Sequence, residues 1–177
     1  MMRDRKMWQN YINSIFQLFL GLLAGIAMMM MVFIINQQEQ ATFIKSYNTF
    51  ANLICIFQQI SCNMALIFSM LLCLIYKQKA DLDNYRGAEN RKASNDLYIM
   101  SCLITFMIFV PWLLLQIEPK YSNMIHYYQA SKFEKADFQT FQIINYVKNG
   151  FLIATWFVSS VQNKSIIGEM DLDEDSR

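Results

Sequence analysis

The chain has 177 residues, of which 55% are hydrophobic, 15% aromatic and only 16% charged, a balance too apolar for an ordinary small soluble domain. Its net charge of +1 supplies no global field to attract nucleic acid or an acidic substrate. The acids from Asp171 to Asp175 are too few to make an extended disordered tail.

Three long stretches carry no charge: 32 residues between Lys6 and Glu39, 31 between Lys45 and Lys77, and 21 between Asp96 and Glu118. Each exceeds the roughly 20 residues a helix needs to cross about 30 Å of hydrocarbon. A fourth apolar stretch, near 141–162, is broken by a single charge, Lys148. Lipid leaves the backbone to satisfy its own hydrogen bonds, so all four are expected as helices even where Ile, Val and Phe would favour strand in water. The reading is an all-α polytopic membrane protein, a bundle of four transmembrane helices over 14–162. The spans lie near 14–36, 53–76, 97–117 and 141–162, between a short basic segment (1–13) and a short acidic tail (163–177). Ten of the fifteen Lys and Arg lie in the N-terminal segment, the middle loop and the C-terminal tail. Both termini are therefore expected on the cytoplasmic side, or the matrix side in a mitochondrion. Residues 1–6 show no small-residue cleavage site, so the first span is expected to serve as its own insertion signal.

In the first span, Gly21 and Gly25 form a G-x-x-x-G motif with Ala24 between them. Such a motif lets another helix approach the backbone closely, here either inside the bundle or on a partner protein. The second span places Gln58, Gln59, Ser61 and Asn63 near its centre. Each would lose hydrogen bonds facing lipid, so they are expected to face neighbouring helices. Pro111 in the third span removes a backbone donor and is expected to kink the helix. Lys148 lies about two turns into the fourth span. It is expected to snorkel to the outer headgroups or, alternatively, to pair with an acid of a partner subunit.

No chemistry of the chain's own is visible. Cys55, Cys62, Cys73 and Cys102 all fall inside spans, form no C-x-x-C pair and do not cluster with His126, the single histidine. They read as packing residues, with no metal site and no cofactor. Nucleophile-elbow, phosphate-loop and zinc-protease motifs are missing, and the carboxylates lie at or beyond the span ends. The expected partners are membrane lipids and other membrane proteins of a multi-subunit assembly, with no nucleic acid and no small-molecule substrate. Bound lipids fit such a surface.

Three segments resemble the membrane domain of the transmembrane protein 237 family, tetraspan proteins of the ciliary transition zone. Phe19–Gly25 is similar to that family's segment ending in Gly-Phe-Leu-Ala-Gly. Ile143-Ile144-Asn145, with Trp156 eleven residues after Asn145, is similar to its Val-Val-Asn with a downstream tryptophan. Met170-Asp171-Leu172 is similar to its Gly-Met-Asp-Leu-Ser-Glu-Glu tail. Tyr47 and Ala51 match a Tyr-x-x-x-Ala start of the second span. The family's fourth span carries no charge, whereas this chain has Lys148 there. The resemblance implies a non-catalytic scaffold for cilium assembly in the transition-zone membrane. The short termini and lack of independent chemistry support an alternative, an accessory subunit of a mitochondrial inner-membrane respiratory complex. A channel or transporter is the third reading.

Overall fold

A computed structural model describes the backbone at 2–36, 40–48, 51–86, 91–127 and 135–175, and side chains over 7–36, 43–47, 53–85, 91–121 and 137–162. The described backbone is helical throughout: α1 (Met2–Asn36), α2 (Gln40–Asn48), α3 (Ala51–Arg86), α4 (Arg91–Tyr127) and α5 (Lys135–Asp175). The four long helices have 35 to 41 residues, so each is about 50–60 Å long and extends beyond a hydrocarbon layer of about 30 Å. The expected spans are therefore the middles of longer helices. Segments 77–86 and 91–96, expected as loop, are helical too, and Lys77, Asp81 and Lys79, Asp83 stand at the four-residue spacing that places opposite charges side by side on a helix.

Among the described residues three helices are long and apolar enough to cross a membrane: Met7–Asn36, Leu53–Tyr85 and Arg91–Tyr121. They account for three of the four expected spans. The fourth, 141–162, lies within α5, which does not reach the same apolarity because Asn145, Lys148, Asn149, Thr155 and Ser159 interrupt it.

Helix pairs α1–α3, α3–α4, α4–α5 and α5–α1 are in contact, so the four long helices close a ring. The ring exposes large apolar side chains on its outside and buries a set of polar ones among its apolar interior. Leu18, Val32, Ile60, Leu74, Phe106 and Phe157 are exposed on the outside, while Gln58, Glu118, Asn145, Lys148 and Asn149 are buried. The outer surface suits lipid, which is as apolar as the side chains themselves.

Two apolar clusters fill the interior. The larger joins Phe16, Leu20, Leu23, Ala27, Cys62, Ala65, Ile104, Ile108, Leu115 and Leu152, with Trp156 packed against it. The smaller is built around α2, an element absent from the sequence expectation because its composition is mixed and its length only nine residues. Phe43, Ile44 and Tyr47 bury against Met30, Ile34, Phe138 and Phe141. The Phe43 ring lies 5.3 Å from Phe138 and 5.7 Å from Phe141, both edge-on, a geometry worth about 0.5–1.5 kcal/mol per pair beyond burial. Tyr47 thus belongs to α2, and the Tyr47–Ala51 pair is divided between two helices rather than opening the second span.

Pro111 and Pro119 both lie inside α4, and the helix runs on through both. Continuation past Pro119 matters most, since it carries Glu118 within the helix instead of leaving it in a loop.

Candidate functional site

The inward stripe of α5 contains Phe138, Phe141, Asn145, Lys148, Asn149, Leu152, Thr155 and Ser159. Their three- and four-residue spacing defines one helix face, and that face is largely polar. Ile143, Val147, Phe157 and Val161 cover the opposite, exposed face. The helix is amphipathic with its polar side turned toward protein.

Lys148 is at the centre of this stripe and has no exposed surface. Its Nζ lies 2.5 Å from Oε2 of Glu118 on α4, which is 1% exposed, and donates a hydrogen bond of 3.0 Å to Oε1 of Gln58 on α3. One ammonium therefore ties three helices together. The expectation that Lys148 snorkels outward, or needs an acid from a partner subunit, is corrected: its counter-ion is in its own chain. One of the carboxylates expected at or beyond the span ends is likewise not left outside the bundle. Glu118 stands one residue beyond the expected third span, and α4 continues through it, presenting the carboxylate to α5. Within hydrocarbon an isolated charge is so costly that the inward pair is favoured over a lone buried ammonium.

Amides surround the pair. Asn145 Nδ2 donates to the Phe141 carbonyl at 3.1 Å, one turn back on α5. Asn145 Oδ1, Gln58 Nε2 and both side-chain polar atoms of Asn149 are buried without a protein partner. The layer thus combines a closed ion pair with two acceptors and two donor groups left unpaired. Polar atoms of this kind call for water or conformational adjustment.

A second polar layer lies further along the ring. Gln17 Nε2 on α1 donates to Ser159 Oγ on α5 at 2.6 Å, and Ser69 Oγ donates to the Leu66 carbonyl at 2.9 Å. Asn13, Gln17, Ser69, Tyr76, Ser101 and Ser159 border a cavity of about 20 Å³, room for one or two waters. Leu20, Leu23, Ile108 and Leu152 are buried in the apolar cluster that separates the two layers along α1 and α5.

The other sequence-predicted residues are dispersed. Ser61 is buried and Gln59 half-buried. Asn63 is exposed, and its Oδ1 accepts a 2.7 Å hydrogen bond from Trp112 Nε1, an outer clasp between α3 and α4. Trp112, next to Pro111, is thereby held by a side chain of a neighbouring helix. Gly21 faces Trp156: a Cβ added there would come 3.7 Å from its Nε1, an ordinary contact. Ala24 is buried, but Gly25 is exposed with nothing within 4 Å of an added Cβ. The G-x-x-x-G motif is therefore not an internal close approach of two backbones; its second glycine opens to the outside. Asn145 and Trp156 face inward or partly inward on α5. Met170, Asp171 and Leu172 lie in the helical backbone of α5, and their side chains are outside the described residues.

Sequence reasoning missed Glu118 and Asn149. A signal for both existed in the inward periodicity of α5, which places Asn145, Lys148 and Asn149 on one patch and demands an acid at that depth. Among the described residues no group of three or more His, Cys, Asp or Glu could hold a metal ion. No family model, curated protein or solved structure matches the chain.

Proposed function

We propose that the chain is a non-catalytic integral-membrane scaffold, a four-helix transmembrane bundle with both termini on the cytoplasmic side, that assembles with other membrane proteins at the ciliary transition zone. The observation that carries the scaffold reading is the Lys148–Glu118–Gln58 clamp. It consumes the charged groups of the membrane interior in joining α3, α4 and α5, which is structural work. It also accounts for how α5 can span as a fourth helix despite its lysine, since the charge is neutralised inside the ring.

The ciliary setting rests on the resemblance to the transmembrane protein 237 family. Gly21 and Trp156 belong to separate resembling segments and face each other across α1 and α5. On this reading the chain needs no catalytic residue and no cofactor, and its partners are lipids and neighbouring membrane proteins.

The test is localisation of a C-terminally tagged chain in a ciliated protist against a basal-body marker and a mitochondrial stain. A ring at the ciliary base is expected. Mitochondrial signal would overturn the ciliary reading and transfer the scaffold role to an inner-membrane respiratory assembly.

A further inference from the structure

Cys73 on α3 and Cys102 on α4 were expected to be inert packing residues, yet their sulfurs stand 3.3 Å apart. Both are free thiols, and both are partly accessible rather than sealed in the core. A disulfide needs its sulfurs at about 2.05 Å, with β-carbons about 3.5–4.5 Å apart. Starting from 3.3 Å, the remaining approach is within reach of small side-chain rotations.

The surrounding hairpin holds the two sulfurs in register. Ser94 Oγ on α4 donates to Asp83 Oδ2 on α3 at 2.5 Å, and Asn84 Nδ2 on α3 reaches Asn95 Oδ1 on α4 at 3.5 Å. Further along the same pair of helices, Trp112 bonds to Asn63 at 2.7 Å. Cys73 and Cys102 fall between these contacts on the same seam. The contact at the thiols is the one between the two sulfurs, Cys73 Sγ and Cys102 Sγ. Cys55 and Cys62 make no such pair; both are on α3, seven residues apart.

We propose that Cys73 and Cys102 form a redox-active dithiol that closes to an intramolecular disulfide on reaction with a small organic disulfide, stapling α3 to α4. One protein thiolate attacks a sulfur of the organic disulfide, giving a mixed disulfide and releasing one small thiol. The second protein sulfur attacks the protein-side sulfur of that adduct, forms the Cys73–Cys102 bond and expels the other small thiol. Two protein thiols are oxidised, one organic disulfide is reduced to two thiols, and each proton lost by the protein is taken up by a departing thiolate.

The test uses the full chain in detergent micelles with dithiodipyridine, a small apolar disulfide that enters micelles. Expected at Cys73 and Cys102 are release of two pyridinethiones per closed pair, no thiopyridyl adduct retained on either residue, and a non-reduced peptide joining the two, whereas the half-buried Cys55 has no partner and would keep any adduct it forms. In Cys102→Ser the remaining Cys73 should keep a thiopyridyl adduct, with one pyridinethione released there. In denaturant, wild type should lose its preference for that pairing. The proposal is overturned if folded wild type, with unchanged helical circular dichroism, leaves Cys73 and Cys102 unmodified or carries them as two separate adducts. It is equally overturned if the linked peptide joins Cys55 to Cys62.

Discussion

Burying an ammonium without a partner costs several kcal/mol even after relaxation, so the groups around Lys148 decide how much the fold tolerates there. Glu118 and Gln58 are its partners, and the three side chains act as a unit. Replacing Lys148 by Met leaves a buried carboxylate, and replacing Glu118 by Met leaves a buried ammonium. Each single change should cost about 3–5 kcal/mol of stability, whereas Lys148→Met combined with Glu118→Met should recover most of that loss. Denaturant unfolding of the four proteins in micelles checks this, and additive losses would show that the pair is not coupled. Asn149 gives the opposite expectation. Both of its polar atoms lack a protein partner, so Asn149→Leu should be neutral or stabilising by about 1 kcal/mol; a clear loss in the same assay would mean that water completes the asparagine's hydrogen bonds. At this scale the sequence was only partly legible. Lys148 stood out as the charge within a span, but its direction depended on whether α4 continued past Pro119 to bring Glu118 inward, and the local pattern of residues does not settle that.

Helix α1 shows how one motif can split between two environments. Gly21 abuts Trp156 of α5, while Gly25 faces open space on the outside of the ring. Gly21→Leu should therefore displace Trp156 and lower the melting temperature of the isolated chain. Gly25→Leu should leave that temperature nearly unchanged, within about 0.5 kcal/mol, and act only on contacts with other proteins. Native-gel size of the assembly, measured beside thermal unfolding of the purified chain, separates the two effects. A normal-sized assembly with Gly25→Leu would show that no partner helix uses this face. Helices α1, α3 and α4 were readable as elements because charge-free runs of 21 to 32 residues leave few alternatives. Helix α2 was not, since its three inward residues, Phe43, Ile44 and Tyr47, are too few to set a period. Tertiary contact with Phe138 and Phe141 defines it.

For the whole molecule, the number of crossings determines where the ends lie. Four spans place both termini on one side of the membrane, whereas three place them on opposite sides. Protease protection of N- and C-terminal tags in sealed vesicles should show both tags on the cytoplasmic face; tags on opposite faces would mean that α5 does not cross. The inside-out character of α5 also bears on the order in which the molecule is made. A helix whose polar stripe holds Asn145, Lys148 and Asn149 is a poor candidate to partition into lipid alone, since central charges disfavour insertion by about 2.5–3.5 kcal/mol each. Gln58 and Glu118 precede it in the chain and are synthesised first. On the proposed four-span reading, the earlier helices form the solvent into which the last one dissolves, and α5 is expected to enter the membrane only as its binding surface is completed.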